Sequence, residues 1–401
     1  MRALPFLFVA AIGCSGGGAL LVEGTLGQPL AGELRGNVLY VPTSVAKLAA
    51  RPLAVDTGAP LIILDPKAFA ELALPLGATH VSSIAFGALT VHDPPVLGLS
   101  PCGAMSCADG ALDGLLGGNL LAQFATSFDY RAATLTLGPL TLPDAVESDG
   151  ASASFSLEGD GDGLVLSQRV HYPSTRIVVD VTVEGELHPF IVDSGASLTV
   201  VRPALFTKLT ADGRGVTSIG ALTTMGLGSS QAARSRSLVL AGAEVRGVPV
   251  LSSPIDLDGL TAEIGHTVDG LVGGTFLREF LVTVDYPRRT LHLRRYATRA
   301  HISDEFQRLG FTLVTDGTGA SRSYLAGGLF AGSDVANRAP GDFQGSHIVS
   351  VDGVVLDGLS PEAAERALHG TVGTQKDVAW ISPSGTAQKM MFRVDEILPL
   401  P

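Results

Sequence analysis

"LAVDTGAPLIIL" spans residues 53 to 64 and sets an aspartate, a threonine and a glycine inside an apolar run that otherwise reads as a buried strand. Asp, Thr and Gly are ordinary turn residues, so one such triplet predicts only a turn between two strands. Its meaning changes because the chain contains it twice. "RPLAVDTGAPLIIL" (51–64) aligns without a gap on "HPFIVDSGASLTVV" (188–201), and these hold the only two Asp-Thr/Ser-Gly triplets in the sequence. The 137-residue offset between Asp56 and Asp193 persists into "LDPKAFAEL" and "VRPALFTKL", where Pro66 and Pro203 each open an expected short helix.

A second pair of segments repeats further on. "DGLLGGNLLAQFATSFDYRAATLTL" (113–137) aligns on "DGLVGGTFLREFLVTVDYPRRTLHL" (269–293) with twelve of twenty-five positions identical, which shared composition does not produce. The chain therefore reads as an internal duplication. Each copy is expected to run strand, triplet, strand, short helix, polar turn, strands, an apolar-apolar-Gly-Gly segment, helix and final strand. Alternating apolar positions and frequent glycines make the fold class mostly β.

Composition bounds the rest. The 401 residues are too many for one ordinary core, and 46% hydrophobic against 16% charged residues describes a globular chain. The formal charge is −12 and no Lys/Arg stripe occurs, which argues against nucleic acid as a partner. "MRALPFLFVAAIGCSGGG" opens with one basic residue and an apolar run from Leu4 to Ile12, too short to span a bilayer but fitting a secretory signal over 1–13. "AAIGC" resembles a bacterial lipobox with Cys14 as the lipidated residue; a plain cleaved signal with an incidental cysteine is the alternative. Either form expects export, and the lipobox expects a periplasmic or outer-membrane lipoprotein held to the membrane by its N-terminal lipid. In such an oxidising compartment Cys102 and Cys107, in "CGAMSC", are expected to close a small disulfide loop. A zinc site would need two further ligands that the sequence does not supply, so neither metal nor cofactor is expected.

The pairing of Asp-Thr/Ser-Gly-Ala with a later Leu-Leu/Val-Gly-Gly resembles the aspartic peptidase family. Each copy looks like one retropepsin-like subunit, and two copies in one chain are similar to the pepsin-type arrangement. The resemblance implies two tandem retropepsin-like (acid protease) β-barrel lobes related by a pseudo-twofold axis, with Asp56 and Asp193 meeting in a shared cleft. Hydrolysing an amide without metal or covalent nucleophile needs one group to take a proton from water and another to give one to the carbonyl oxygen. Two close carboxylates cannot both ionise easily, so they share one proton and can do both. The resemblance gives supporting roles to Thr57 and Ser194, whose hydroxyls would bond across the lobes, to Gly58 and Gly195, and to Leu115-Leu116-Gly117 and Leu271-Val272-Gly273 behind the loops. Ala59 and Ala196 stand where pepsin-like enzymes often carry a hydroxyl residue, which predicts a less acidic pair, and Pro60 opposite Ser197 removes one backbone donor from the first loop.

The copies differ in length. Asp113 and Asp269 are 156 apart, and seventeen of the nineteen extra residues fall where "ALPLGATHVS" (73–82) stands against "TADGRGVTSIGALTTMGLGSSQAARSR" (210–236). The family carries its substrate-covering hairpin there, which implies one flap, from the second copy, with Met225, Gly226, Leu227 and Gly228 near its tip. The expected boundaries are lobe 1 over 20–140, a solvated linker over 141–164 and lobe 2 over 165–298. "DGDG" in the linker lacks the glutamate that a calcium loop needs. Beyond, "GGLFAGSDVANRAPGDFQGSHIVSVDGVVL" followed by "SPEAAERALHG" resembles a bacterial PDZ domain over 303–398, with a helix capped by Ser360 and begun by Pro361, and "GGLF" as a possible carboxylate loop. Such an α+β domain would bind an extended C-terminal peptide by strand addition. The function implied is an aspartic endopeptidase acting on peptide or protein substrates. The alternative is a catalytically inactive peptide-binding protein that keeps the cleft, though a binder has no need of two facing carboxylates.

Overall fold

The first copy folds from a hairpin in which Val38–Val45 runs antiparallel to Arg51–Val55, and the second of these strands delivers Asp56. Leu39, Val41 and Val45 alternate inward along one strand and Leu53 and Val55 along the other, so the period-two pattern fills one core. The computed structural model describes residues 20–99, 113–138, 150–157, 164–167, 170–172, 175–223, 226–253, 257–264, 267–297, 306–317 and 319–401.

Both copies build the same sheet around their triplets. Gly114–Leu116 lies parallel to Arg51–Val55, with Leu115 beside Ala54 and Leu116 beside Val55, and antiparallel to Ile62–Leu64. In the second copy Gly270–Val272 lies parallel to Glu186–Val192, with Leu271 beside Ile191 and Val272 beside Val192, and antiparallel to Thr199–Val201. Each aspartate thus leaves the end of a strand that has neighbours on both sides. The short helices follow as expected, over Pro66–Glu71 and Pro203–Thr210, each with proline in its first turn.

A six-stranded antiparallel sheet joins the lobes, in the order Ala151–Ser154, Thr290–Arg295, Phe280–Asp285, Ala125–Asp129, Thr134–Gly138, Pro29–Ala31. At its centre Ser127 faces Thr283, and their hydroxyls hydrogen-bond at 2.8 Å. These residues are equivalent in the duplication, so the pseudo-twofold axis passes between them. Phe128, Tyr130, Phe276, Phe280 and Tyr286 belong to the same buried cluster as the hairpin residues above. One close-packed core shared by both lobes holds the two aspartate-bearing strands in fixed relation.

The connecting segment is more than a solvated linker. Residues 151–154 pair with Thr290–Leu293, residues 156–157 pair with Ile177–Val178, and Phe155 between them is buried edge-on against Tyr286. Its alternating "ASAS" carries too little apolar surface to announce an edge strand.

The length difference between the copies becomes a hairpin. Thr217–Thr223 pairs antiparallel with the first part of Gly226–Leu240, Thr223 standing opposite Gly226. Gly226, Leu227 and Gly228 therefore begin the returning strand beside the expected tip, because the antiparallel register fixes where the chain reverses. Among the described residues lobe 1 shows no counterpart: Gly77–His80 pairs with Pro95–Gly98, Ser83–Phe86 pairs with Leu89–His92, and only residues 81–82 separate Gly77–His80 from Ser83–Phe86.

The C-terminal unit has its own core. Phe311, Phe343, Trp380 and Phe392 pack mostly edge to face around the sheet Phe311–Asp316, Ser323–Leu329, His347–Val351, Gln375–Ile381, Ala387–Arg393. Its helix Pro361–Leu368 begins as read, with Ser360 Oγ accepting from Ala363 N. "GGLF" is not a loop beside this helix, since Gly327–Leu329 end an internal strand. That place is taken by Arg308 to Phe311: Leu309 N donates to Leu368 O at 2.9 Å and Arg308 pairs with Glu365 at 2.7 Å. The unit touches both lobes. Arg322 pairs with Glu33 at 3.0 Å, Ser323–Leu329 lies against Thr217–Thr223, and Phe306, Phe330, Ile397 and Leu398 pack with Ile219 and Ala232 of the hairpin.

Candidate active site

The two triplets meet. Thr57 Oγ1 donates to Val192 O at 2.7 Å and accepts from Ser194 N at 3.0 Å, while Ser194 Oγ donates to Val55 O at 2.8 Å and accepts from Thr57 N at 3.0 Å. Each hydroxyl ties its own loop to the strand and loop of the other lobe, and both residues are buried. Four bonds between residues some 137 positions apart exist only if the duplication folds about its axis.

Inside this frame each aspartate is cradled by its own loop. Asp56 Oδ1 accepts from Gly58 N at 2.8 Å and Ala59 N at 3.0 Å; Asp193 Oδ1 accepts from Gly195 N at 2.9 Å and Ala196 N at 3.0 Å. Behind them Leu116 O accepts from Asp56 N and Val272 O from Asp193 N, both at 3.0 Å. Gly118 N and Gly274 N donate to Ala59 O and Ala196 O at 2.8 and 2.7 Å, so the second glycine of each Gly-Gly pair fixes the loop from beneath. The proline at 60 costs the Asp56 carboxylate nothing, because in both loops the donors are the second and third residues after the aspartate.

Each carboxyl group packs directly against the glycine of the other loop: a Cβ on Gly58 would lie 2.5 Å from Asp193 Cγ and one on Gly195 2.4 Å from Asp56 Cγ, so the two carboxyl groups come together at the centre of the frame. Burial pushes Asp193 well above the usual carboxylate range, and the neighbouring charge of Asp56 pushes it further. Burial also raises Asp56, but the Ala59 and Gly58 amides, the neighbouring Asp193 carboxyl and the positive charge of Arg176 oppose it. Two carboxyl groups this close titrate in two separated steps, with one proton shared by the pair between them. Such a pair can accept a proton at one oxygen while giving one from another.

Residues 179–276 match the aspartyl protease family model. The match lies within lobe 2 and covers well under half of the chain; lobe 1 is tied to it by the duplication. Among solved structures, the chain is similar to the aspartic proteinase from Irpex lacteus at 16% identity, covering 69% of this chain and 99% of that one with a TM-score of 0.43. It is also similar to a retropepsin-like aspartic protease from Rickettsia conorii at 18% identity, covering 36% of this chain and 92% of that one with a TM-score of 0.25. No curated protein matches the chain.

Several residues that serve this site were not singled out from sequence. Asn119 Oδ1 accepts from Ile62 N at 2.9 Å, and Thr275 Oγ1, at the equivalent place, accepts from Thr199 N at 2.9 Å. Their positions in the repeat differ in identity, so alignment hid the shared task. Asn37 Nδ2 reaches Ser197 O at 3.3 Å and Arg176 Nε reaches Gly58 O at 2.9 Å, both across the lobe boundary, and neither stands in a motif. A cavity of about 920 Å³ opens between lobe 1 and the C-terminal unit, lined among others by Tyr40, Arg51, Lys67, Asp113 and Arg322. Neither Asp56 nor Asp193 lines it. Burial pushes the Tyr40 hydroxyl up to about 12, so this side chain stays neutral among the charged residues of the lining. Cys14, Cys102, Cys107 and Met225 lie outside the described residues. Among the described residues no cluster of His, Cys, Asp and Glu could hold a metal, and no helix is long and apolar enough to cross a membrane.

Proposed function

We propose that this protein is an aspartic endopeptidase in which Asp56 and Asp193 activate a water molecule for attack on a peptide bond. The observation that carries the reading is the pair of carboxyl groups brought together across the lobe boundary, each cradled by its own loop, packed against the glycine of the other loop and locked by Thr57 and Ser194 to the opposite lobe. The ionised member takes a proton from water as the water oxygen adds to the carbonyl carbon, and the protonated member gives its proton to the carbonyl oxygen. Collapse of the resulting gem-diol returns one hydroxyl proton to the second carboxylate and sends the first carboxyl's proton to the leaving nitrogen, breaking C–N and restoring the pair. The hairpin Thr217–Thr223 with Gly226–Leu240 would cover the substrate, as its place in the fold and its absence from lobe 1 suggest.

Incubation with a peptide library across pH ~3 to ~7, the range of shared-proton carboxyl pairs, tests this beside Asp56→Asn and Asp193→Asn. Cleavage lost in both variants supports the reading; cleavage persisting in either moves the activity elsewhere. Peptide binding without cleavage at any pH would instead identify an inert binder that kept the cleft.

The same reading extends to export with a lipid on Cys14, and to a PDZ-type C-terminal unit that takes a peptide terminus beside helix Pro361–Leu368. Radiolabelled palmitate incorporated by the parent but not by Cys14→Ser tests the first. Fluorescence anisotropy with free and amidated C-terminal peptides tests the second.

A further inference from the structure

The two aspartate loops match bond for bond, yet what approaches them from the opposite lobe differs. Tyr40 pairs with Ala54 and Val178 pairs with Ile191, each partner standing two residues before its aspartate. Counting back two residues along these equivalent strands sets Val38 against Arg176. Val38 is buried and apolar. Arg176 instead crosses the lobe boundary, its Nε donating to Gly58 O at 2.9 Å, while Gly58 N donates to Asp56 Oδ1 at 2.8 Å. Beside it Thr175 Oγ1 lies 3.4 Å from Pro60 O, just as Asn37 Nδ2 lies 3.3 Å from the equivalent Ser197 O, so both strand entries are held across the lobe boundary and the difference falls on the next residue, Arg176 against Val38.

Resting on the reading of the pair as a catalytic dyad, we propose that Arg176 is a positioning residue that decides which carboxyl holds the shared proton, keeping Asp56 ionised and leaving the proton on Asp193. The other ionisable groups that bear on the pair do not reverse this. Asp56 is faced by Asp193 and Tyr40, and Asp193 by Asp56 and Tyr130; burial raises both tyrosines, so they remain neutral. A guanidinium is charged at every working pH, and an opposite charge nearby favours the ionised carboxyl. Asp56 is thus the base that receives the water proton, and Asp193 is the acid that protonates the carbonyl oxygen. A proton fixed on one side makes the two faces of the scissile bond inequivalent, which a symmetric dyad would not do.

The test compares Arg176→Gln, which keeps a hydrogen-bond donor and loses the charge, with Arg176→Lys, which keeps the charge. On the acidic limb of kcat/KM against pH, the doubly protonated pair must lose one proton. Without the cation the first ionisation becomes harder, so the limb of Arg176→Gln moves to higher pH while that of Arg176→Lys stays near the parent. An unmoved limb in Arg176→Gln, whatever the loss of rate, overturns the proposal and leaves Arg176 a purely structural contact. Carboxyl ¹³C titration of the parent protein, assigned with Asp193→Asn, needs neither turnover nor an Arg176 variant. Asp56 ionising first supports the proposal and Asp193 ionising first overturns it. A parent that cleaves nothing refutes the endopeptidase reading, and the titration still decides the role of Arg176.

Discussion

Gly58 stands directly against the carboxyl group of Asp193: a Cβ built on it would lie 2.5 Å from Asp193 Cγ, and one on Gly195 would overlap the Asp56 carboxylate in the same way. Each glycine belongs to one lobe and makes room for the aspartate of the other. The requirement is the close approach itself, for which only a residue without a side chain leaves space.

Gly195→Ala is therefore expected to abolish peptide cleavage while the protein still folds, because its methyl group drives the carboxyl groups apart without touching the lobe cores. Circular dichroism beside a cleavage assay checks this. Retained cleavage at parental rate would mean that the pair works at a wider separation.

Thr57→Val should destabilise the protein by about 1–3 kcal/mol, the cost of leaving a buried donor or acceptor without its partner, since Ser194 N and Val192 O both lose the Thr57 hydroxyl. Thr57→Ser restores the hydroxyl and most of the stability. Urea unfolding of the three proteins measures the difference.

Stability should fall as pH rises through the window above the ordinary carboxylate range. Asp193 is raised in the folded state, so folded protein holds a proton that unfolded chain has released, and by linkage each further step in pH favours unfolding until the folded group also ionises. Asp193→Asn removes this titration. Its melting temperature should change less with pH over that window than the parent's, as differential scanning calorimetry at several pH values would record.

Removing residues 398–401 should loosen the hairpin of lobe 2. Buried Arg234, in the returning strand, donates from Nε to Leu398 O at 2.6 Å and from Nη1 to Gly247 O at 2.8 Å, and Leu398 packs with Ile219 and Ala232. Losing one acceptor of a charged donor costs about 1.5–3 kcal/mol. Limited proteolysis of the truncated chain should cut between residues 217 and 240 faster than in the parent, and an unchanged rate would show that the C-terminal unit does not brace the hairpin.

Much of the site was legible because it is written twice. The repeated triplets located Asp56 and Asp193, the repeated Leu-Leu/Val-Gly segments located the strands behind them, and the unequal spacing located the hairpin in the second copy. Gly226 is the first paired residue after the chain reverses, near the expected tip, while Leu227 and Gly228 already belong to the returning strand because long-range pairing sets the register. The edge strand at 151–154 was missed for a related reason: four small residues pair through their backbone, which composition does not record.

The sequence alone determined which residues form the candidate pair, since two closely similar local patterns, each followed by its own Leu-Leu/Val-Gly-Gly segment, fold alike and can be paired without seeing them paired. The tertiary structure alone decided how the pair is biased. Arg176 meets Gly58 across 118 positions of sequence, and Val38, its counterpart by symmetry, offers no charge. Duplication predicts symmetry, whereas the placement of a proton depends on the field at each carboxyl, and that field is set by whatever the folded chain brings close.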